Sequence, residues 1–417
     1  MKRVVLPNAS RWGFATAVVV ILAFLSLSWG LGVRTGRPLA ERTDLFFQSD
    51  AGGLVTDAET DFSSRGRGVH PILYFVWTKP LYHAGQGLDP IIPAEVTATV
   101  GSRLLVAVWA GTGMGVLAAG LIRRGVPGSA ILAVAPLYLL GCGQSMACMP
   151  DHFGISQGIL AASFGVYLAP GRFGRKLAGL AFLTLLAGGI TVTNAIFPAS
   201  LCGLLAISQY RSRIRWQWIV AASTIGVAMI AMGMGVLFLV EDLFERFVMR
   251  VEGYLTWRLT EDPLEALKFT FRGLVDAVVA PTPAITRDNL DRVPMLTYQP
   301  VGQPYSAWPY NLWQSVGAVA WLILLAVGTA NALKSKDFRI PSAVLVAWVL
   351  WNAIFHNLWG DEYFLYTPHY SWALVAFVLL GWQRISAKWI WPFTAVTAAA
   401  AAFTLWEYSR LIASIES

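Results

Sequence analysis

Charged residues are scarce in this sequence, and that scarcity decides the class of protein. Only 13% of the 417 residues are Asp, Glu, Lys or Arg, whereas soluble domains carry about 25%. Hydrophobic residues make up 56%, which indicates an integral membrane protein. The net charge of +7 comes from small Lys and Arg clusters between apolar runs, a pattern that sets membrane orientation. Because no basic tract is interleaved with aromatic residues, we expect no nucleic-acid partner.

Cysteine is also rare, and several common catalytic motifs are missing. The three cysteines, Cys142, Cys148 and Cys202, lie in or at the ends of apolar segments, without a CxxC motif or a Cys/His metal spacing. We expect them to be small buried hydrophobic residues. The sequence has no P-loop, no Gly-rich turn between a strand and a helix, and no DxD motif. A nucleotide-sugar enzyme is therefore unsupported.

Apolar runs of about 20 residues, the length that crosses a bilayer, recur along the chain. They predict an all-α polytopic membrane protein with about eleven transmembrane helices in a single domain, residues 1–417. Every short loop assigned to the inner side is basic, which predicts an inner N-terminus. The first run lacks a clean cleavage site, so a retained anchor is favoured over a signal peptide. The predicted spans are residues 14–33, 102–122, 128–148, 153–168, 177–191, 195–208, 218–240, 315–333, 342–358, 371–382 and 389–405.

Two long segments fall on the outer side of this arrangement. In the first, residues 34–100, four carboxylates lie within a dozen residues, and an amphipathic helix at the membrane interface is predicted for His70–Tyr82. So many carboxylates at one face of such a hydrophobic chain indicate a function. The second, residues 241–313, contains the amphipathic stretch Leu264–Val279, predicted to be a helix that caps the membrane surface or a lid over a substrate cavity.

Histidines and carboxylates are distributed unevenly between the two sides. All five histidines are assigned to the outer face, whereas Asp337 is the only carboxylate on an assigned inner loop. We therefore expect an outward-facing site built from the ends of several helices. The five are His70, His83, His152, His356 and His369.

The order of features near the start of the chain resembles a known family. An acidic residue follows the first membrane helix, a short helix comes next, and the motif H-P-x-L-Y begins at His70. This order resembles the first external loop of the GT-C glycosyltransferases, such as the protein O-mannosyltransferases and the lipid A aminoarabinose transferases. Arg103-Leu104 likewise resembles the Arg-Leu that these enzymes often carry where the chain re-enters the membrane. The resemblance covers roughly the first half of the chain.

The resemblance implies an activity and a location. GT-C enzymes transfer a sugar from a polyprenyl-phosphate donor to an acceptor, with inversion at the anomeric carbon. For this chain it implies a lipid or glycan acceptor and membrane-lipid surroundings. It also implies a multi-pass protein of the plasma (inner) membrane whose active site faces the outside, or periplasm.

Asp50 is the catalytic residue that the resemblance implies, because GT-C enzymes place their base in the first external loop. A carboxylate there can take a proton from the acceptor hydroxyl. Many members have adjacent Asp-Glu at this point, whereas this chain has Ser49-Asp50-Ala51, and Asp44 and Asp57 are competing candidates. The structural alternative is that Asp50 caps the helix that begins near Ala51.

Further candidate substrate-binding residues lie at other outer helix ends. Each has a structural alternative: a helix cap for His70, a favourable helix dipole for Asp151 beside His152, and lipid-headgroup contact for Arg103. An aromatic interfacial belt is the alternative for the turn that holds Asp361. The residue types identify no certain cofactor; Asp50, Asp151 and the histidines are compatible with a divalent metal, although no tight ligand spacing demands one. The full candidate set is His70, Arg103, Asp151, His152, Asp361, Glu362, Tyr366 and His369.

Two other functions remain open. A transporter or flippase of lipid-linked sugars would carry charged residues at the bilayer midplane, where the sequence has few. An O-antigen-type polymerase usually has a large external loop with arginines, a pattern matched by Arg246, Arg250, Arg258 and Arg272.

Overall fold

The computed structural model describes residues 7–32, 79–87, 91, 94–149, 152–210, 263–287, 294–297, 306, 308–358, 366–382 and 387–416. Of these residues 86% are helical. The elements are α1 (Pro7–Gly32), α2 (Lys79–Gln86), α3 (Ala94–Arg123), α4 (Gly128–Leu139), α5 (Gly143–Ala147), α6 (His152–Leu168), α7 (Phe173–Ile190), a 3-10 turn (Val192–Ala195), α8 (Ile196–Tyr210), α9 (Pro263–Asp276), β1 (Ala284–Arg287), β2 (Pro294–Thr297), α10 (Leu312–Lys334), α11 (Arg339–Leu358), α12 (Pro368–Gly381) and α13 (Ala387–Glu416).

Several of these helices are long and apolar enough to cross a membrane. Within the described ranges there are five, and shorter apolar helices occur at α4 and α12. The chain is therefore a mostly helical membrane protein, while the number of eleven spans stays a prediction. The predicted span at 218–240 lies outside the described residues. The five helices are Asn8–Ser28, Val100–Arg123, Phe173–Ile190, Leu312–Lys334 and Arg339–His356.

The helices alternate in direction, which gives the bundle two chemically different ends. At one, the turn between α3 and α4 lies beside the start of α1, where an Arg123 Nη atom lies 3.5 Å from Ser10 Oγ. Arg124 of the same turn donates to the Leu168 carbonyl at the end of α6. Gly125 supplies the positive φ of 92° that the turn requires. We call this the basic end and the opposite one, where α6 and α12 begin, the histidine end.

Glycines set how closely the helices of the bundle approach one another. A Cβ added to Gly158 of α6 would lie 2.1 Å from the Trp109 carbonyl oxygen of α3. One added to Gly381 of α12 would lie 2.3 Å from the Gly328 carbonyl oxygen of α10. Small residues allow backbones to meet in this way, and close packing is the main force between membrane helices.

Helices α6 and α12 occupy the centre of the bundle. Nearly every described side chain of both is buried, although α6 has only 17 residues and α12 only 14. By contrast, α1 and α10 expose large apolar side chains such as Phe14, Leu22, Val316 and Val319, as lipid-facing helices do.

The predicted third span is wrong in its continuity, because the helix breaks after Leu139. The backbone N–H groups of Cys142 and Gly143 donate to the carbonyls of Val278 and Ala277, both at 3.1 Å. These bonds satisfy backbone groups that the interrupted helix leaves unpaired. The predicted break between spans five and six is confirmed by the 3-10 turn Val192–Ala195.

The two outer segments are described only in part. Helix α2 begins at Lys79, so most of the predicted interfacial helix His70–Tyr82 lies outside the described residues. The predicted helix at Leu264–Val279 is confirmed as α9, but its apolar residues do not share one environment: Leu264 and Leu267 are exposed, whereas Val275 is buried. An antiparallel ribbon, β1 with β2, follows α9 and was not predicted.

Candidate functional site

Three histidines converge at the histidine end from three different helices. His152 is the first residue of α6, His356 lies in the last turn of α11, and His369 is the second residue of α12. The ring centroid of His369 lies 6.3 Å from that of His152 and 5.8 Å from that of His356. All three side chains are buried. The helix ends bring them together, although His152 is more than 200 residues away from the other two in sequence.

Aromatic rings complete this cluster. The Tyr366 ring stacks on His356, with centroids 3.8 Å apart and planes inclined by 10°. Phe153 contacts both sides of the cluster, with its ring 5.4 Å from His369 and 6.1 Å from Tyr366. We call His152, Phe153, His356, Tyr366 and His369 the histidine–aromatic cluster.

The backbone beneath the cluster is held by indole and amide groups. The Nε1 atoms of Trp348, on α11, and Trp372, on α12, both donate to the His369 carbonyl at 2.9 Å. One turn below His152, the Gln157 side chain accepts from Tyr138 and donates to Ser371, each at 2.9 Å. These bonds tie α4, α6, α11 and α12 together directly under the imidazoles, so the cluster rests on a rigid base.

Arg103 lies in the wall of the bundle near the same end. It is buried, and its Nη1 atom donates to the Ser28 carbonyl at 2.7 Å near the end of α1. One turn further along α3, Val106 packs against Gly154 of α6. The guanidinium therefore joins α3 to the C-terminal end of α1, and a positive charge suits the C-terminal end of a helix. This placement differs from a side chain that reaches out to lipid headgroups.

A second polar cluster lies where α9 enters the bundle. Arg272 and Asp276, four residues apart, form a buried ion pair with an Nη2 to Oδ2 distance of 3.1 Å, and the Tyr310 hydroxyl donates to the other carboxylate oxygen. Burial raises the pKa of Asp276 above its ordinary value, while Arg272 and the Tyr310 hydroxyl lower it. The pair therefore carries a desolvation cost that its two bonds offset only in part.

The two clusters are connected through Gly143. A Cβ at this position would lie 2.9 Å from Thr367 Oγ1, next to Tyr366 and His369, and 3.0 Å from the Ala277 carbonyl oxygen, next to Asp276. The described part of the second outer segment therefore packs on the histidine end. Its location there agrees with the predicted assignment of both to one side of the membrane.

Two buried polar atoms near the cluster have no hydrogen-bond partner among the described residues. They are Gln144 Oε1 and Ser156 Oγ. Gln144 belongs to α5, which packs on α6 and α12, and Ser156 lies one turn after His152. Buried polar atoms of this kind are normally hydrogen-bonded, so a ligand hydroxyl or phosphate would suit them.

The structure brings together three of the predicted substrate-binding residues, His152, Tyr366 and His369, and puts Arg103 in the nearby wall. The others lie outside the described residues, although two are close in sequence to the cluster: Asp151 precedes His152, and Glu362 is four residues before Tyr366. The predicted residues outside the described ranges are Asp50, His70, Asp151, Asp361 and Glu362.

Some residues of the site were missed by sequence reasoning. His356 was assigned to the outer face but not to the site, although its position at the outer end of a span was a usable signal. The i,i+4 spacing of Arg272 and Asp276 also suggested a pair. Nothing in the sequence pointed to Trp348 as a support for His369.

The side chains of the cluster are suited to ligand binding and acid–base chemistry. In the part of the chain that the structure describes, no group of three or more His, Cys, Asp or Glu side chains could hold a metal ion. Imidazole and phenol groups can donate to and accept from hydroxyl and phosphate oxygens. Their stacked rings also offer apolar faces to a ligand.

Comparisons with known proteins add no identification. No family model, no curated protein and no solved structure matches the chain.

Proposed function

We propose that the protein is a membrane glycosyltransferase that moves a sugar from a polyprenyl-phosphate donor to a lipid or glycan acceptor at the histidine end. The observation that carries the proposal is the convergence of His152, His356, His369 and Tyr366 at the ends of separate helices. The positive-inside rule puts the opposite, basic end in the cytoplasm, so transfer would occur on the outer face of the inner membrane.

The cluster has the groups that a sugar phosphate needs. The imidazoles of His152 and His369 can hydrogen-bond to sugar hydroxyls or to phosphate oxygens. The rings of Tyr366 and Phe153 supply apolar surface for the C–H face of a sugar. Carboxylates such as Asp151 and Glu362, near the cluster in sequence, would hold further hydroxyl groups.

We assign the base to Asp50. Its carboxylate takes the proton of an acceptor hydroxyl while the acceptor oxygen forms a bond to the anomeric carbon. The bond from that carbon to the phosphate oxygen breaks with its electron pair, and polyprenyl phosphate leaves. We assign a positioning role to Arg103: its bond to the Ser28 carbonyl joins α3 to the end of α1, the two helices that flank the segment that carries Asp50.

Neither alternative function is favoured by a specific observation. A polymerase would need arginines that are free to bind anionic lipid carriers. Of the four arginines whose pattern matches a polymerase, the structure describes only Arg272. This residue is buried and paired with Asp276. A transporter would need charge at the bilayer midplane, where the apolar runs of the sequence carry few charged residues.

The experiment measures transfer of a labelled sugar from polyprenyl-phosphate donors in membranes that contain the full chain, compared with membranes that contain Asp50→Asn. Asn caps helices about as well as Asp, so the protein should still fold and insert. Loss of a general base costs about 10²–10⁴ in rate, so transfer should nearly vanish while donor binding persists. Glu59→Gln is the matched control and should cost far less.

Two outcomes would contradict the assignment. Near-normal transfer by Asp50→Asn would move the base elsewhere, with Asp44, Asp57, Asp151 and Glu362 as the next candidates. Movement of an unchanged lipid-linked sugar across the membrane, with no transfer from any donor, would establish the transporter alternative.

A further inference from the structure

A cavity of about 370 Å³ lies at the basic end, far from the histidine–aromatic cluster. It opens between the α3–α4 turn, the end of α6, the start of α7 and the end of α8. Its polar wall carries three cations, and no Asp or Glu among the described residues lines it. The residues that line it include Arg123, Arg124, Phe173, Lys176, Leu205 and Gln209.

Two of the cations are held in place by the end of α6. Arg124 Nε donates to the Leu168 carbonyl and Lys176 Nζ to the Tyr167 carbonyl, both at 2.6 Å. The ammonium also lies 5.6 Å from the centre of the Tyr167 ring. Helix C-termini attract cations, and these bonds fix both groups beside the cavity before any ligand arrives. Little side-chain entropy would then be lost when an anion binds.

The charge of the cavity is uncompensated by the described protein. None of Arg123, Arg124 and Lys176 forms an ion pair with a described carboxylate. The ion pairs among the described residues involve Lys268, Arg272 and Arg410 instead. Like charges held close together repel, and an anion between them would replace that repulsion with attraction. The planar guanidinium of Arg124 is suited to a phosphate, because its terminal nitrogens can bind two oxygens at once.

The position of the cavity indicates where the phosphate comes from. Its wall includes Arg123, the last residue of one candidate membrane span, and Phe173, the first residue of another. The cavity therefore lies at the depth where a membrane ends and lipid headgroups begin. Phe173 and Leu205 add apolar wall beside the cations. A free phosphate ion would gain nothing from that surface, whereas a lipid could pack its glycerol or upper acyl chain on it.

We propose that this basic cavity binds the phosphate headgroup of an anionic membrane lipid from the leaflet at the basic end. Basic pockets between transmembrane helices are a recurrent form of lipid-headgroup site. The inference goes beyond the proposed glycosyltransferase activity, since it concerns the opposite end of the bundle and needs no sugar donor. The lipid would hold together the ends of α3, α6, α7 and α8.

The test uses the purified full chain in nanodiscs of phosphatidylcholine with a rising fraction of phosphatidylglycerol. Native mass spectrometry counts the anionic lipids retained after release, and thermal unfolding is followed in parallel. The wild type should retain phosphatidylglycerol in preference to phosphatidylcholine. An Arg or Lys near a membrane surface contributes about 1 kcal/mol, so Lys176→Gln should weaken apparent affinity about fivefold and Arg123→Gln/Lys176→Gln roughly 25-fold. Arg123 is exposed, so its replacement should not disturb folding.

The matched control is Lys334→Gln/Arg339→Gln, which removes two charges at the same end but outside the cavity. It should keep the preference for phosphatidylglycerol. Lys176→Arg keeps the charge and should also keep it. Equal losses in the control and cavity variants would reduce the effect to general surface charge and overturn the proposal.

A second arm separates the lipid from a free anion. Inorganic phosphate and water-soluble dihexanoyl phosphatidylglycerol are each tested as competitors for retained phosphatidylglycerol. The short-chain lipid should compete at much lower concentration than inorganic phosphate, because it adds the apolar contact. Equal competition by the two would assign the cavity to a free phosphate and overturn the lipid proposal, as would equal retention of phosphatidylcholine and phosphatidylglycerol. Sugar transfer is not a readout here, so this result and the result for Asp50→Asn are independent.

Discussion

The Tyr366 ring lies flat against His356, with centroids 3.8 Å apart, so a residue just before α12 covers an imidazole of α11. This contact closes one side of the histidine–aromatic cluster. If the stacked pair offers its outer face to a sugar, the ring matters more than the hydroxyl.

Tyr366→Phe should therefore keep most of the apparent affinity for the sugar substrates, whereas Tyr366→Leu should raise KM about two- to twelvefold. The range corresponds to an aromatic pair worth about 0.5–1.5 kcal/mol. The measurement is the KM of labelled sugar transfer for both variants. A larger effect from Tyr366→Phe than from Tyr366→Leu would mean that the hydroxyl, not the ring, contacts substrate.

Trp348 should act as a positioning residue for His369. Its Nε1 bond to the His369 carbonyl joins α11 to α12, so Trp348→Phe should loosen the spacing of His356 and His369 and lower the transfer rate. Trp372→Phe is the matched control: it removes a bond of equal length to the same oxygen, but one within α12, and both indoles pack on Phe197. Transfer rates and melting temperatures are measured for both. Equal rate losses at equal stability would refute a special role for Trp348.

Close helix packing should make Gly158 intolerant of a side chain. Gly158→Ala puts a methyl group into the backbone of α3 and should destabilise the protein by about 1–3 kcal/mol, the usual cost of overpacking. Gly203→Ala in α8 meets nothing within 4 Å, so it should be neutral or stabilise by up to about 1 kcal/mol. Thermal unfolding in detergent compares the two. A Gly158→Ala protein as stable as wild type would mean that α3 and α6 do not meet at this point.

The buried carboxyl of Asp276 should make stability depend on pH. Its folded-state pKa lies above the ordinary 3.8, so the folded protein keeps this proton where the unfolded chain has lost it. The stability from this group is fully present below about pH 3.8 and is lost as the pH rises through the folded-state pKa. Asp276→Asn should reduce the loss of stability that accompanies the rise in pH. Tyr310→Phe removes a hydrogen bond that lowers the pKa, and should move this loss to higher pH.

Melting temperatures across about pH 4 to pH 8 measure this dependence. Asp337→Asn, at an exposed carboxylate in the α10–α11 loop, is the control variant and is measured in parallel. The idea fails if the profile of Asp276→Asn matches that of the wild type.

The orientation of the chain in the membrane can also be tested. Reporter fusions at Gly125 and Ser335, in turns of the basic end, and at Arg175, in the first turn of α7, should report the cytoplasm, because basic loops stay inside. Fusions at Asn289 and at the C-terminus should report the outside. A cytoplasmic Asn289 would place the histidine end inside and exclude transfer on the outer face.

The sequence by itself determined the class of protein and the approximate position of most helices. Scarce charge and long apolar runs leave few options, since an unpaired backbone cannot cross a bilayer. Alternation of direction also predicted that His152, His356 and His369 share one end, because each lies at the same side of its span. That inference needs only helix order.

Only the tertiary structure decided which of these apolar helices lie at the centre and which side chains meet. Short α6 and α12 are buried on nearly all sides, whereas longer α1 and α10 face outward, yet all four are simply apolar in sequence. The break after Leu139 likewise depends on carbonyls of Ala277 and Val278, more than a hundred residues away in the chain. The close approach of helix backbones depends on three-dimensional fit at glycines such as Gly158. The hydropathy of a helix does not predict which other helix packs against it.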